Sequence, residues 1–147
     1  MIFACIDTET TGLLKDPDAH VIEVAAVIYD SEADRVLDSF ESLVNPPKLT
    51  DEGLAIAKRV SQLDEGQIRS GLPPEVAWSR VARLIAAYPV TAWNVEFDRK
   101  FCRRTFLGFE EREVKTLVDA THWDECACER FTELFKSVAG TRVCRDT

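Results

Sequence analysis

Apolar positions at the start of the chain fall into three short blocks. Ile2 to Ile6 is an apolar run, Val21 to Tyr29 is a second, and Arg35 to Val44 alternates more loosely. Blocks of this length, bounded by polar and turn-forming residues, predict three consecutive strands. Ser31-Glu32-Ala33-Asp34 supplies the turn between the second and third, so the fold opens with a meander. Asn45-Pro46-Pro47 ends the third strand, because neither proline has an N–H to give to a ladder. Thr50 to Gly71 reads as a polar connection holding one short helical turn at most.

From Pro74 the period changes. Ala77, Val81, Leu84, Ile85 and Tyr88 recur at helical spacing, and Pro73-Pro74 suits a helix start, where a missing N–H costs nothing. The pattern then predicts a fourth strand over Val90 to Trp93, a helix over Glu96 to Leu107 and a fifth strand over Val114 to Val118. A last helix carries Ala127, Phe131, Leu134, Phe135 and Val138 on one stripe. The order βββαβαβα implies an α/β fold, a mixed sheet flanked by helices. No repeat or linker interrupts it, so one domain is expected over residues 1–147.

Composition narrows the classes. With 46% hydrophobic and 30% charged residues in 147, the chain has the make-up of one globular domain, not of a disordered or fibrous protein. It has no apolar run of roughly 18 residues to span a bilayer, and Met1-Ile2-Phe3-Ala4-Cys5 leads into Asp7 without the basic start of a signal peptide. The five cysteines are odd in number and sparse, which predicts free thiols in a reducing, cytoplasmic setting without membrane association. A net charge of -8 argues against a protein that coats nucleic acid indiscriminately. It leaves room for a nuclease whose carboxylates are offset by metal ions.

The chemistry is concentrated in two places. Asp7 and Glu9 stand two apart at the end of the first strand, so the period of two points both carboxylates to one face. Thr10-Thr11-Gly12 follows, with two hydroxyls and a flexible backbone able to approach a phosphate or sugar. The alternative reading of this segment is an acidic strand end running into a turn. After the fourth strand, Asn94-Val95-Glu96-Phe97-Asp98 places Asn94 as an N-cap and Asp98 in the first helical turn. Acidic residues are favoured there for dipole reasons alone, but that preference does not account for both segments together.

IDTETTG and NVEFD, in these positions, resemble the first two motifs of the DEDD superfamily of 3′-to-5′ exonucleases, most closely the branch with proofreading subunits, ribonuclease T and oligoribonuclease. The resemblance extends over most of the chain, since the three-strand opening, Ile22-Glu23-Val24 and the helix before the fourth strand follow the family's order. It implies a ribonuclease H-like fold and hydrolysis of single-stranded DNA or RNA from the 3′ end, releasing nucleoside monophosphates. Two Mg²⁺ or Mn²⁺ ions would be held by Asp7, Glu9 and Asp98. Asp7 would bridge both, Glu9 would bind the ion carrying the attacking water, and Asp98 would hold the second ion through water. Thr10, Thr11, Leu13 and Asn94 would contact the terminal nucleotide, with Leu13 as an apolar wedge against the base; Leu13 and Leu14 equally suit a core. Arg99, Lys100, Arg103 and Arg104 form two i,i+4 basic pairs, suited either to a phosphate backbone or to a solvated helix face.

The family's third motif, His-x-x-x-x-Asp or Tyr-x-x-x-Asp on a further helix, has no counterpart before Thr147. The expectation is therefore a domain lacking the family's C-terminal helix. Three alternatives stand open: a truncated or degenerate module that binds nucleic-acid ends or a protein partner without turnover; substitution by Asp119 or Asp124 with His122 as base; or a helix supplied by a partner chain, a polymerase among them. His122, Cys126, Cys128 and Cys144 also invite a zinc reading, but there is no CxxC and ordinary buried thiols fit better. Trp93 stands where the family often has histidine beside the asparagine.

Overall fold

A computed structural model describes residues 1–106 of the chain. They form β1 (Ile2–Thr10), β2 (Val21–Asp30), β3 (Arg35–Leu43), α1 (Asp51–Val60), α2 (Glu65–Arg69), α3 (Pro74–Ile85), β4 (Val90–Ala92) and α4 (Val95–Phe106). The strand order is β3-β2-β1-β4. The first three strands pair antiparallel as a meander and β4 joins β1 in parallel. This is the mixed, helix-flanked α/β sheet that the hydrophobic pattern predicts. The predicted fifth strand, the last helix, and Asp119, His122, Asp124 and the cysteines of the zinc reading lie outside the described residues. Among those described, no helix is long and apolar enough to cross a membrane, and Cys5 and Cys102 are free thiols.

One face of the sheet is the core. Ala4 and Ile6 of β1, with Val24, Ala26 and Ile28 of β2, pack beneath Ala77, Trp78, Val81 and Ile85 of α3 and Phe101 of α4. Period two explains the strand residues, and i, i+4, i+8 spacing explains Ala77, Val81 and Ile85. Burying Trp78 and Phe101 completely makes them the largest single contributors, at about 25 cal/mol per Å² of apolar surface removed from water.

β1 runs to Thr10 with Asp7 and Glu9 among its last residues, as their reading at the end of the first strand expects, because Asp7 to Thr10 keep pairing with β2 through the backbone while their side chains alternate between faces. One segment differs from the sequence reading. The segment expected to be a loop with one short turn instead holds α1 and α2. Their ends carry a clear helical signal. Thr50 caps α1 by accepting from the Gly53 N–H at 3.0 Å, and Asp64 and Gln67 form a capping box on α2. Ala57 and Ile68 are the buried residues that join these helices to Ile22 of β2.

Ile22 is available for that contact because of a bulge. Glu9 pairs with Glu23 but Thr10 pairs with Val21, so β2 carries an extra residue opposite one step of β1. Bulges re-aim side chains locally, and here the bulge turns Ile22 toward α1 and α2 while Val21 joins the main core. At Gly71 any side chain would meet the backbone of Leu43 and Val44 at 2.6–2.7 Å, which is why the connection from α2 to α3 passes β3 at a glycine.

Candidate active site

On β1, Asp7 and Glu9 share the face opposite the core, and Thr8 between them points to the core side. Glu9 lies directly across from Glu23 of β2, and Asp7 across from Ala25, whose own partner on β3 is Glu41. Four carboxylates therefore share one sheet face. Partial desolvation, then the charge on Glu9, raises the Asp7 carboxyl above its usual range, against a lowering hydrogen bond from the Thr8 backbone. Glu23 is raised by desolvation first and then by Glu9, Glu41 and Asp7.

Asp98 reaches this strand from α4. β4 runs beside β1 and delivers the chain to Asn94, whose side-chain oxygen accepts from the Phe97 N–H at 3.3 Å and caps α4. That fixes Asp98 in the first turn, where the Thr8 hydroxyl donates to its carboxylate at 2.7 Å across 90 positions of sequence. Only 4% of Asp98 is exposed. Burial pushes its pKa up from 3.8 to about 6; the Thr8 hydrogen bond opposes the shift and the charge on Asp7 adds to it. The two segments singled out in the sequence thus meet at the end of β1.

The loop after β1 is closed by its own hydrogen bonds. Thr11 is buried and ties the loop to His20: its hydroxyl accepts from the His20 N–H at 2.9 Å, and its own N–H donates to the His20 carbonyl at 3.0 Å. The Thr10 hydroxyl donates to the Gly12 carbonyl at 2.8 Å. Leu13 is 45% exposed, whereas Leu14 packs against the core, which separates the two leucines that the sequence leaves equivalent.

The Arg104 guanidinium spans the loop, donating to the carbonyls of Leu14 at 2.7 Å and Ala19 at 3.2 Å and also to that of Asp16. It lies over the Phe101 ring. Arg104 is thus a loop clamp and not part of a phosphate-binding face, while Arg99 and Lys100 pair with Glu96 at 3.4 and 3.3 Å. Arg104→Met should cost roughly 2 kcal/mol, the scale of a charge-assisted hydrogen bond set. Hydrogen exchange should then quicken over Asp16 to Ala19; unchanged protection there would contradict the clamp.

Residues 4–141 match the family model of the RNase T exonucleases. The chain belongs to the RNase T exonuclease family. No curated protein matches this exonuclease domain as a relative. Among solved structures, it superimposes on cell-death related nuclease 4 (CRN-4) with a TM-score of 0.69 at 15% identity, covering 99% of this chain and 51% of that one. It superimposes on E. coli exonuclease I, in complex with a dT13 oligonucleotide, with a TM-score of 0.65 at 19% identity, covering 94% of this chain and 31% of that one. A full-length 3′-exonuclease gives a TM-score of 0.56 at 18% identity, over 72% of this chain and 38% of that one. At these identities the likeness is one of fold. The exonuclease domain spans about half the length of CRN-4 and under a third of exonuclease I.

DEDD exonucleases in general use divalent metals, and the donor set here is of the right kind. Hard divalent cations take oxygen ligands, and Asp7, Glu9 and Asp98 offer only carboxylate oxygens. Among the described residues, no Lys or Arg pairs with Asp7, Glu9, Glu23 or Asp98. A cation between them would reverse the like-charge repulsion that adds to the effect of burial in raising Asp7 and Asp98. Among the described residues, no three His, Cys, Asp or Glu side chains close on a common point as a preformed cage would.

Sequence reasoning missed two neighbours of these acids. Glu23 is visible as the lone acid in an otherwise apolar run, but only its register against Glu9 gives it a place at the site. Ser61, whose hydroxyl donates to Glu9 at 2.6 Å, carries no sequence signal, because nothing local ties the end of α1 to β1.

Proposed function

We propose that this exonuclease domain hydrolyses single-stranded DNA or RNA from the 3′ end, using two Mg²⁺ or Mn²⁺ ions held by Asp7, Glu9 and Asp98. The observation that carries the reading is the Thr8–Asp98 hydrogen bond of 2.7 Å, which draws the Asp98 carboxylate to the strand that bears Asp7 and Glu9. Two cations, when bound, supply charge stabilisation for the attacking and leaving oxygens of an in-line displacement.

The chain's own residues do the rest. Asp7 and Glu9 fix one flank of the site on a sheet strand, and Asp98 fixes the other on a helix capped by Asn94. Rigid elements of this kind hold a constellation more tightly than loops do. Asn94 and Thr10 flank the acids as contacts for the terminal nucleotide. Thr11 holds its loop in shape, and exposed Leu13 offers an apolar surface to the last base. Water adds to phosphorus, the bond to the 3′ oxygen of the penultimate sugar breaks, and a nucleoside 5′-monophosphate leaves. The oligonucleotide bound in the exonuclease I complex supports a single-stranded substrate.

A 5′-labelled single-stranded oligonucleotide incubated with Mg²⁺ or Mn²⁺ should shorten stepwise, and a 3′-terminal phosphate or a duplex end should slow it. Binding of the end without shortening would instead support the module without turnover.

A further inference from the structure

We propose that Ser61 is a positioning residue for Glu9. Its hydroxyl donates to Glu9 Oε2 at 2.6 Å, between residues 52 positions apart. Ser61 is the C-cap of α1, and its own N–H is engaged by the Ala57 carbonyl at 3.0 Å. The hydroxyl is thereby left to serve the neighbouring strand.

The backbone around it is arranged to hold that direction. Gln62, the next residue, has φ of 60°, the left-handed conformation that helix ends usually assign to glycine. A side chain is strained in that conformation, so the surrounding contacts must hold it there. The turn sends the Leu63 N–H back to the Ala57 carbonyl at 3.3 Å and packs Leu63 against the cluster of Ile22, Ala57 and Ile68. Ile22 is the bulged residue of β2, next to Glu23 and diagonal to Glu9. One end of α1 is therefore anchored to the same step of the sheet that presents Glu9.

A glutamate side chain turns about several bonds, and an unsupported one loses that freedom each time a ligand binds. Among the described residues, Ser61 is the side chain that donates to Glu9. Tying Oε2 restricts the carboxylate plane and leaves Oε1 for a cation. Hydrogen-bond partners of metal-binding side chains typically set roughly 10- to 100-fold of metal affinity.

The inference rests on Glu9 being a metal ligand as proposed above, so the experiment separates the two. Mn²⁺ binding is measured by calorimetry on the full chain for wild type, Glu9→Gln, Ser61→Ala, Ser61→Thr and the Glu9→Gln/Ser61→Ala double variant. Ser61→Ala should weaken binding about 10-fold, Ser61→Thr should restore it, and the double variant should bind no more weakly than Glu9→Gln alone. If Glu9→Gln weakens binding and Ser61→Ala does not, the positioning role is overturned while the metal site stands. A fold-loss from Ser61→Ala that is the same in the wild-type and Glu9→Gln backgrounds would also overturn it, because the two residues would then act independently. Unchanged affinity in Glu9→Gln would remove the metal site and the positioning role together.

Discussion

Asp98→Asn should make the metal-free protein more stable and at the same time remove its nuclease turnover. Asp98 is buried, and its pKa is about 6 in the fold against 3.8 ordinarily. The folded state therefore binds a proton more tightly than the unfolded chain between about pH 4 and pH 6. Stability falls as pH rises through that window and stays lower above it. A shift of this size corresponds to roughly 3 kcal/mol at neutral pH. Asparagine is nearly isosteric, still accepts from the Thr8 hydroxyl, and carries no charge to desolvate. The variant should gain about 1–3 kcal/mol at pH 7 and lose the downward slope between pH 4 and 6. Urea unfolding with EDTA across about pH 4.5–7.5 reads both quantities. Parallel pH profiles for wild type and variant would contradict the assignment of the buried charge. Turnover should drop on the order of 10³-fold, the equivalent of several kcal/mol of lost charge stabilisation.

For Asp7→Asn the largest effect is expected on the coupling between metal and fold. A ligand that binds only the native state at about 100 times its dissociation constant adds about 2.7 kcal/mol of stability. Wild type should show such a rise in melting temperature with Mn²⁺, and Asp7→Asn should show almost none. Exonuclease activity should fall on the order of 10³- to 10⁴-fold, since one of the carboxylates proposed to hold the ions is the one removed. Loss of that ligand leaves the core intact, because Asp7 projects from the sheet face opposite Ala4 and Ile6. A variant whose melting temperature still rises with Mn²⁺ as the wild type's does would exclude Asp7 from the metal site.

In Asp98→Asn stability and activity move in opposite directions, and the cause is a charge that the metal-free fold holds at a cost. Like charges gathered without a counter-cation raise one another's pKa values and destabilise the fold that holds them. Sites of this kind are where local rules are broken for function. Glu23, held opposite Glu9, belongs to the same row of acids.

Much of this site is legible in one dimension. Asp7 and Glu9 share a face because strand geometry repeats every two residues, and Asn94 caps α4 because its side chain replaces a missing acceptor at a helix start. The meander, the helix from Pro74 and the strand from Val90 follow from periodicity and proline placement. The reading fails at α1 and α2, which are short and bury few residues, so that their capping residues are the plainest sign of helix.

Arg104 shows a different limit. Its i,i+4 spacing from Lys100 suggests an exposed basic row, but α4 lies against the loop after β1, and the guanidinium finds three carbonyls there. The sequence by itself determined which residues carry charge, which face of β1 they leave from, and where several of the helices begin. Only the tertiary structure decided that Thr8 meets Asp98, that the β1–β2 register sets Glu23 against Glu9, and that Ser61 reaches Glu9. Those contacts join residues far apart in the chain, up to 90 positions for Thr8 and Asp98, and such pairings are fixed by how sheet and helices pack, which no local pattern encodes.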